Sequence, residues 1–142
     1  MEIQALVNVN NVDRWSFEDV VEKRAFSRIL LTMLLEESNY KLASELEAGA
    51  TDVFQAYARQ IEELNIRARK NSKFVADLKS LLVTCRAEIS YQQKWSKRVL
   101  ASLPDDQDAQ VLIVAFATAN GAAASLLQIV EQYQEAHVHA VL

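Results

Sequence analysis

The chain has 142 residues, 51% of them apolar, with two Gly and one Pro, so it has the size of one domain and few places to turn. Its net charge of −4 hides a basic block at residues 67–98, where nine basic and two acidic side chains lie between two acidic flanks. The single cysteine excludes an internal disulfide, and no Lys or Arg precedes the first apolar residues, as it would in a secretory signal peptide. These two features lead us to expect a cytoplasmic protein. Because Ala, Leu, Glu, Gln and Lys are abundant, we expect it to be all-α with few, long helices.

Residues 1–15 are expected to form an extended or flexible arm, followed by a single helical-bundle domain at residues 16–142. Apolar side chains alternate with polar or mixed positions in the arm, as they do in a strand. The alternating residues are Ile3, Ala5, Val7 and Val9. No second strand is evident to pair with them, so the arm is either disordered or placed on a groove of this chain or of a neighbour.

The first helix is predicted from about residue 16 to residue 48. Ser16 is a good N-cap, and Trp15 and Val20 have the spacing of a hydrophobic staple. Gly49 is the expected terminator. The centre of this helix, residues 29–35, is apolar almost all round and should be covered on more than one side.

A regular seam runs through residues 54–103, where apolar positions recur at alternating steps of three and four without a slip. Of its fifteen positions, only Asn71, Gln92 and Ser96 are polar. The pattern predicts a coiled-coil-like helix at about residues 51–102, capped by Thr51, and therefore three long helices with the last at about residues 105–139. The alternative is a break near residues 70–72, which gives four helices of ordinary length.

The two alternatives have different consequences for assembly. With a continuous middle helix, three helices overlap only around residues 68–82, and a homodimer would complete the bundle at both ends. With a break, a monomeric four-helix bundle is possible, and surfaces off the seam become the reason to expect a partner. Asn71, at the centre of the seam, is predicted to set helix register and oligomeric state, unless it marks a solvated gap or a turn.

Residues 111–130 contain no charge and are long enough to span a membrane. Their apolar positions nevertheless recur at steps of three and four and continue to Tyr133 and His137, while a weak polar line follows the opposite side. This periodicity favours an amphipathic protein helix over a membrane span. Small residues off the main stripe predict a surface where another backbone comes close. The candidate interface residues are Ile113, Ala117, Ala119, Gly121, Ala124 and Leu127.

No catalytic motif, phosphate loop or metal-binding spacing is present in the sequence. His137 and His139 lack the Glu-x-x-His spacing of di-metal bundles, and Cys85 lies on the seam, as a core residue would. Glu37 is in helical step with apolar residues and would need a basic partner if it were partly buried. We expect no enzymatic activity, and no catalytic, cofactor or metal site.

The leading hypothesis is a non-enzymatic protein–protein interaction module, such as an adaptor, chaperone or scaffold subunit. It would act through its heptad seams and a small-residue helix face, with a second copy or another helical protein as partner. The second hypothesis is a membrane-active helical protein that inserts residues 111–130. The third is a nucleic-acid binder that uses the basic block 67–98, where Trp95 lies among basic residues. Neutralisation of that block by acidic flanking helices is the simpler interpretation.

Overall fold

A computed structural model of the protein describes the backbone of residues 17–141 and the side chains of residues 19–134. It contains four α-helices, and no strand occurs between residues 17 and 141, so the all-α prediction is confirmed. The helices are α1 (Phe17–Glu36), α2 (Tyr40–Lys70), α3 (Val75–Ser102) and α4 (Gln110–Val141). The predicted arm, the Ser16 cap and the Trp15 staple lie outside the described residues.

Two apolar clusters show that each helix runs antiparallel to its chain neighbours. Tyr40 of α2 and Val99 of α3 share the first cluster, whereas Ile61 and Leu81 of the same helices share the second. The first cluster adjoins the α1–α2 and α3–α4 turns and includes Leu30, Leu31, Leu34, Ala43, Leu46, Trp95, Ala109, Leu112 and Phe116. The second lies toward the α2–α3 turn and includes Val20, Ala50, Val53, Phe54, Tyr57, Leu82, Cys85, Ile89, Ala119, Ala123, Leu126 and Val130.

The most extensive helix pair is α2 with α4, which run in the same direction. Alanines on both helices are fully buried, including Ala43 and Ala50 on α2 and Ala119 and Ala123 on α4. Small side chains let two helix backbones approach closely, and this approach buries the inward stripe of the uncharged stretch. The inward stripe of α4 therefore packs against α2 of the same chain, whereas the small residues off the stripe, Ala117 and Ala124, remain exposed.

The predicted middle helix is not continuous, because α2 ends at Lys70 and α3 begins at Val75. Asn71 adopts an extended backbone, and its side chain accepts a hydrogen bond from the Lys73 N–H at 3.1 Å, capping a 3₁₀ turn, Ser72–Phe74. Away from the turn, the seam nevertheless faces the core along both α2 and α3. The dimer argument based on a continuous helix therefore does not apply.

The predicted boundary at Gly49 and Thr51 is wrong, because both residues lie inside α2. The chain turns earlier, at Ser38, whose φ of 57° is in the left-handed region. The Ser38 N–H donates to the Leu35 carbonyl at 3.0 Å and the Asn39 N–H to the Leu34 carbonyl at 2.8 Å, the bonding pattern of a Schellman cap. A left-handed cap normally has Gly, so the Ser at this position gave no turn signal in the sequence.

Replacing Ser38 with glycine is expected to raise the free energy of unfolding by about 0.5–1 kcal/mol. Glycine adopts a positive φ without the steric cost that a Cβ imposes, and Ser38 is exposed, so no packing is lost. Urea denaturation measures the change, with Ser38→Ala as the control that keeps the Cβ. Equal stabilisation by both substitutions would contradict this explanation of the turn.

Candidate functional site

A buried polar layer separates the two apolar clusters and connects all four helices. At its centre, Gln92 of α3 accepts a hydrogen bond from Arg24 Nη2 of α1 at 3.2 Å. Its amide Nε2 donates to Glu47 Oε1 of α2 at 2.9 Å and to Asn120 Oδ1 of α4 at 3.2 Å. Asn120 in turn donates to the Ser96 hydroxyl at 2.7 Å. One glutamine therefore contacts the three other helices.

Two ion pairs complete the layer, and in both of them the arginine lies on α1. Arg28 Nη2 lies 3.1 Å from Glu88 Oε2, and both side chains are less than 10% exposed. Arg24 Nη2 lies 3.7 Å from Glu47 Oε1, where the exposed fractions are lower still. Two buried cations thus face two buried carboxylates. Polar contacts of this kind require defined geometry, so the layer favours one helix register over others.

Burial also governs the titration of groups in and near the layer. Desolvation lowers the pKa of Arg24, and the adjacent Glu47 carboxylate opposes this effect. Burial raises the pKa of the Cys85 thiol to about 12, and it raises that of the Tyr57 hydroxyl well above its usual range. The Glu88 carboxylate adds to both increases. Neither group is therefore poised as a nucleophile near neutral pH.

The polar layer was only partly visible in the sequence. Gln92 and Ser96 are polar members of the seam, one helical turn apart, and Asn120 interrupts the uncharged stretch. Arg24 and Arg28 lie on α1 and Glu47 on α2, so the spacing of residues along α3 does not indicate them. Glu37, which would need a basic partner if it were partly buried, is exposed in the turn after α1.

Asn71 is exposed at the turn between α2 and α3, which corresponds to the alternative interpretation of this residue. A register-setting role for Asn71 presumed burial in a seam, and the structure does not place it there. Gln92 occupies the kind of environment that the prediction required, since it is fully buried and its amide is hydrogen-bonded.

The candidate interface residues divide into two groups. Ala117, Gly121 and Ala124 are exposed, and Ile113 is at the lower edge of exposure. Ala119 is 0% exposed in the second cluster, and Leu127 packs partly buried against that cluster. Ala119 is therefore used inside this chain and is not available to a partner.

The basic block does not form one continuous patch of the fold. Some of its cations lie at the α2–α3 turn and others are spread along α3, and Trp95 is largely buried rather than exposed for stacking on bases. Arg86 donates hydrogen bonds to Gln134 of α4 at 3.2 and 2.7 Å. The two ion pairs of the polar layer use arginines outside the block.

No group of three or more His, Cys, Asp or Glu side chains within the described part of the chain is arranged to hold a metal ion. The two histidines, His137 and His139, fall in the part of α4 whose side chains are not described. No family model matches this sequence, and no curated protein or solved structure is significantly similar to it.

Proposed function

We propose that the protein is a cytoplasmic, non-enzymatic interaction module that self-associates through the outer face of α4. This face is the exposed side of the helix opposite its core stripe, and it follows steps of three and four. Its apolar and small members are Val114, Ala117, Gly121 and Ala124, flanked by Val111 and Ile113. The exposed polar residues on the same side are the uncharged Thr118, Ser125 and Gln128.

The observation that carries this proposal is the absence of charge on a surface in contact with solvent. Burial against α2 and α3 explains why the inward stripe of residues 111–130 is apolar. It does not explain the outward side, where Val114 is 64% exposed and Val111 45%. Large exposed apolar side chains that adjoin one another are typical of an interaction surface.

A second copy of the chain suits this face. In a two-fold symmetric dimer the same patch meets itself, so an uncharged face avoids the like-charge repulsion that a charged patch would impose. Small residues at its centre permit close approach of two helices. Adaptors, chaperones and scaffold subunits are the classes of protein that such an assembly fits, and heptad packing in the manner of a coiled coil is proposed for the contact.

Gly121→Lys is expected to weaken self-association at least tenfold, about 1.4 kcal/mol, while leaving the monomer folded. A Cβ at Gly121 meets no heavy atom within 4 Å, so the added side chain is tolerated in the monomer, but two lysines would face each other across the dimer. Sedimentation equilibrium over a concentration series measures the effect. Ala48→Lys, at an exposed position of α2, is the matched control.

Two outcomes would contradict the proposal. The first is a wild-type protein that stays monomeric at the highest concentration. The second is a Gly121→Lys variant that associates as strongly as the Ala48→Lys control. Loss of association in both variants would point to a general effect of charge rather than to the outer face of α4.

Membrane association is the second candidate, and one finding favours it. The segment Gln107–Gln134 is long and apolar enough to cross a membrane by length and composition. Insertion would have to remove the inward stripe of α4 from both apolar clusters. Flotation with phosphatidylcholine vesicles separates the two candidates. A membrane-inserted protein should rise with the vesicles, whereas a self-associating bundle should stay at the bottom of the gradient.

A further inference from the structure

A groove of about 380 Å³ runs along the surface between α1 and α3. We refer to it as the α1–α3 groove. Its α1 wall extends from Val21 to Thr32, and its α3 wall from Glu88 to Arg98. A second concavity, which includes Lys94, adjoins it on the far side of Tyr91 and Arg98. The two helices make few contacts with each other, which leaves the groove open to solvent.

The groove presents apolar side chains that the core does not use. Ile29 on one wall and Tyr91 on the other are each 61% exposed, and Val21 is 37% exposed. Trp95 forms part of the floor and is 8% exposed. Its indole Nε1 is buried without a hydrogen-bond partner among the described residues.

The groove is also positively charged. Arg28 and Glu88 in its floor neutralise each other, and the Arg28 guanidinium lies 4.6 Å from the centroid of the Tyr91 ring. Arg98 on the α3 wall and Lys94 in the adjoining concavity are exposed, and they form no ion pair with any residue that the structure describes. An anionic partner would complement these two cations without displacing an existing pair.

The dimensions of the groove suit a helix. The walls cover eleven residue steps on α1 and ten on α3, so the groove is about 15 Å long, or roughly three helical turns. An amphipathic helix placed in such a groove uses apolar anchors at spacings of three, four and seven residues. Val21, Ile29 and Tyr91 offer contacts over this length, and Lys94 and Arg98 line one edge.

We propose that the α1–α3 groove binds an acidic amphipathic helix of a partner protein. The apolar face of that helix packs on Val21, Ile29 and Tyr91, and its carboxylates pair with Lys94 and Arg98. The inference rests on the proposed role as an interaction module, but it uses a surface distinct from the outer face of α4. A nucleic acid fits the groove less well, because its centre is apolar and only two unpaired cations border it.

The test uses two synthetic 18-residue peptides with leucines at the same helical spacing. All the remaining positions are Glu in one peptide and Lys in the other. Isothermal titration of the full chain should show binding of the Glu peptide and no binding of the Lys peptide. The double variant Lys94→Glu with Arg98→Glu should lose at least tenfold in affinity, as should Ile29→Ser. Lys70→Glu with Lys73→Glu, at the α2–α3 turn outside the groove, should stay within twofold of wild type.

Four results would overturn the inference, and the first three concern the peptides and the charge variants. These are no binding of the Glu peptide, equal binding of both peptides, or equal losses in the groove and turn variants. Binding that appears only after Ile3→Ser with Val7→Ser would also overturn it, because residues 1–16 of the chain would then be the occupant. Gly121→Lys should bind the Glu peptide as wild type does, so failure of self-association and failure of groove binding remain distinguishable.

Discussion

Replacing Arg28 with methionine should lower the free energy of unfolding by about 3–5 kcal/mol. The substitution keeps most of the side-chain volume but leaves Glu88, whose side chain is 8% exposed, without its charge partner. An uncompensated buried carboxylate costs far more than the intact pair contributes, because desolvation is no longer offset by a nearby cation. Urea denaturation followed by circular dichroism measures the loss.

The double variant Arg28→Met with Glu88→Leu should recover most of this loss, since both charges are then removed and their volume is filled. Arg98→Met is the matched control, because Arg98 is exposed and should change stability by less than about 0.5 kcal/mol. If the double variant were as unstable as the single one, the cost would come from lost packing and not from the unpaired charge.

Phe116→Ala is expected to destabilise the protein by about 3–5 kcal/mol. Phe116 is 0% exposed in the first cluster, where the inward stripe of α4 meets residues of the other three helices. Truncation removes a large apolar side chain from water-excluded surroundings and leaves a cavity that neighbouring helices fill only in part. Thermal and urea unfolding provide the measurement.

Val114→Ala, two residues away on the same helix, is the control. Val114 is 64% exposed, so its truncation should change the stability of the monomer by less than about 0.5 kcal/mol. If both substitutions changed the stability by a similar, small amount, the inward stripe would not be what packs α4 against the other helices. Such a result would favour a helix whose apolar residues serve a membrane.

The buried faces of the helices were predictable from the sequence. The stripe of α4 was identified from its spacing, and its described members from Leu112 to Val130 are buried. The seam of residues 54–103 likewise faces the core along α2 and α3, except around the turn. Periodicity reports burial directly, because a side chain must recur every three or four residues to stay on one side of a helix.

Helix ends were harder to predict. Residue type alone predicts a helix end at Gly49, but the apolar spacing continues from Leu46 through Ala50 to Val53, and packing of that face outweighs the cost of one glycine. Ser38 carries the turn although its residue type does not favour a positive φ. The hydrogen bonds of the cap and the burial of the helices on each side support that conformation.

The candidate site was predictable only in fragments. Gln92 was visible as a polar residue in an apolar seam, but nothing in its own helix indicates that Arg24, Glu47 and Asn120 surround it. These partners are 68, 45 and 28 residues away along the chain. The α1–α3 groove was not foreseen either, because it depends on how loosely two non-consecutive helices pack.

The sequence by itself determined that the chain is helical and which side of its regular helices faces inward, since both follow from residue type and spacing along one helix. Only the tertiary structure decided that residues 17–141 form four helices and that the alanines of α4 pack against α2. It also placed the buried charges in one layer. The physical reason is that these features depend on contacts between distant segments, whose energies exceed the local preferences of a turn, a glycine or an isolated polar residue.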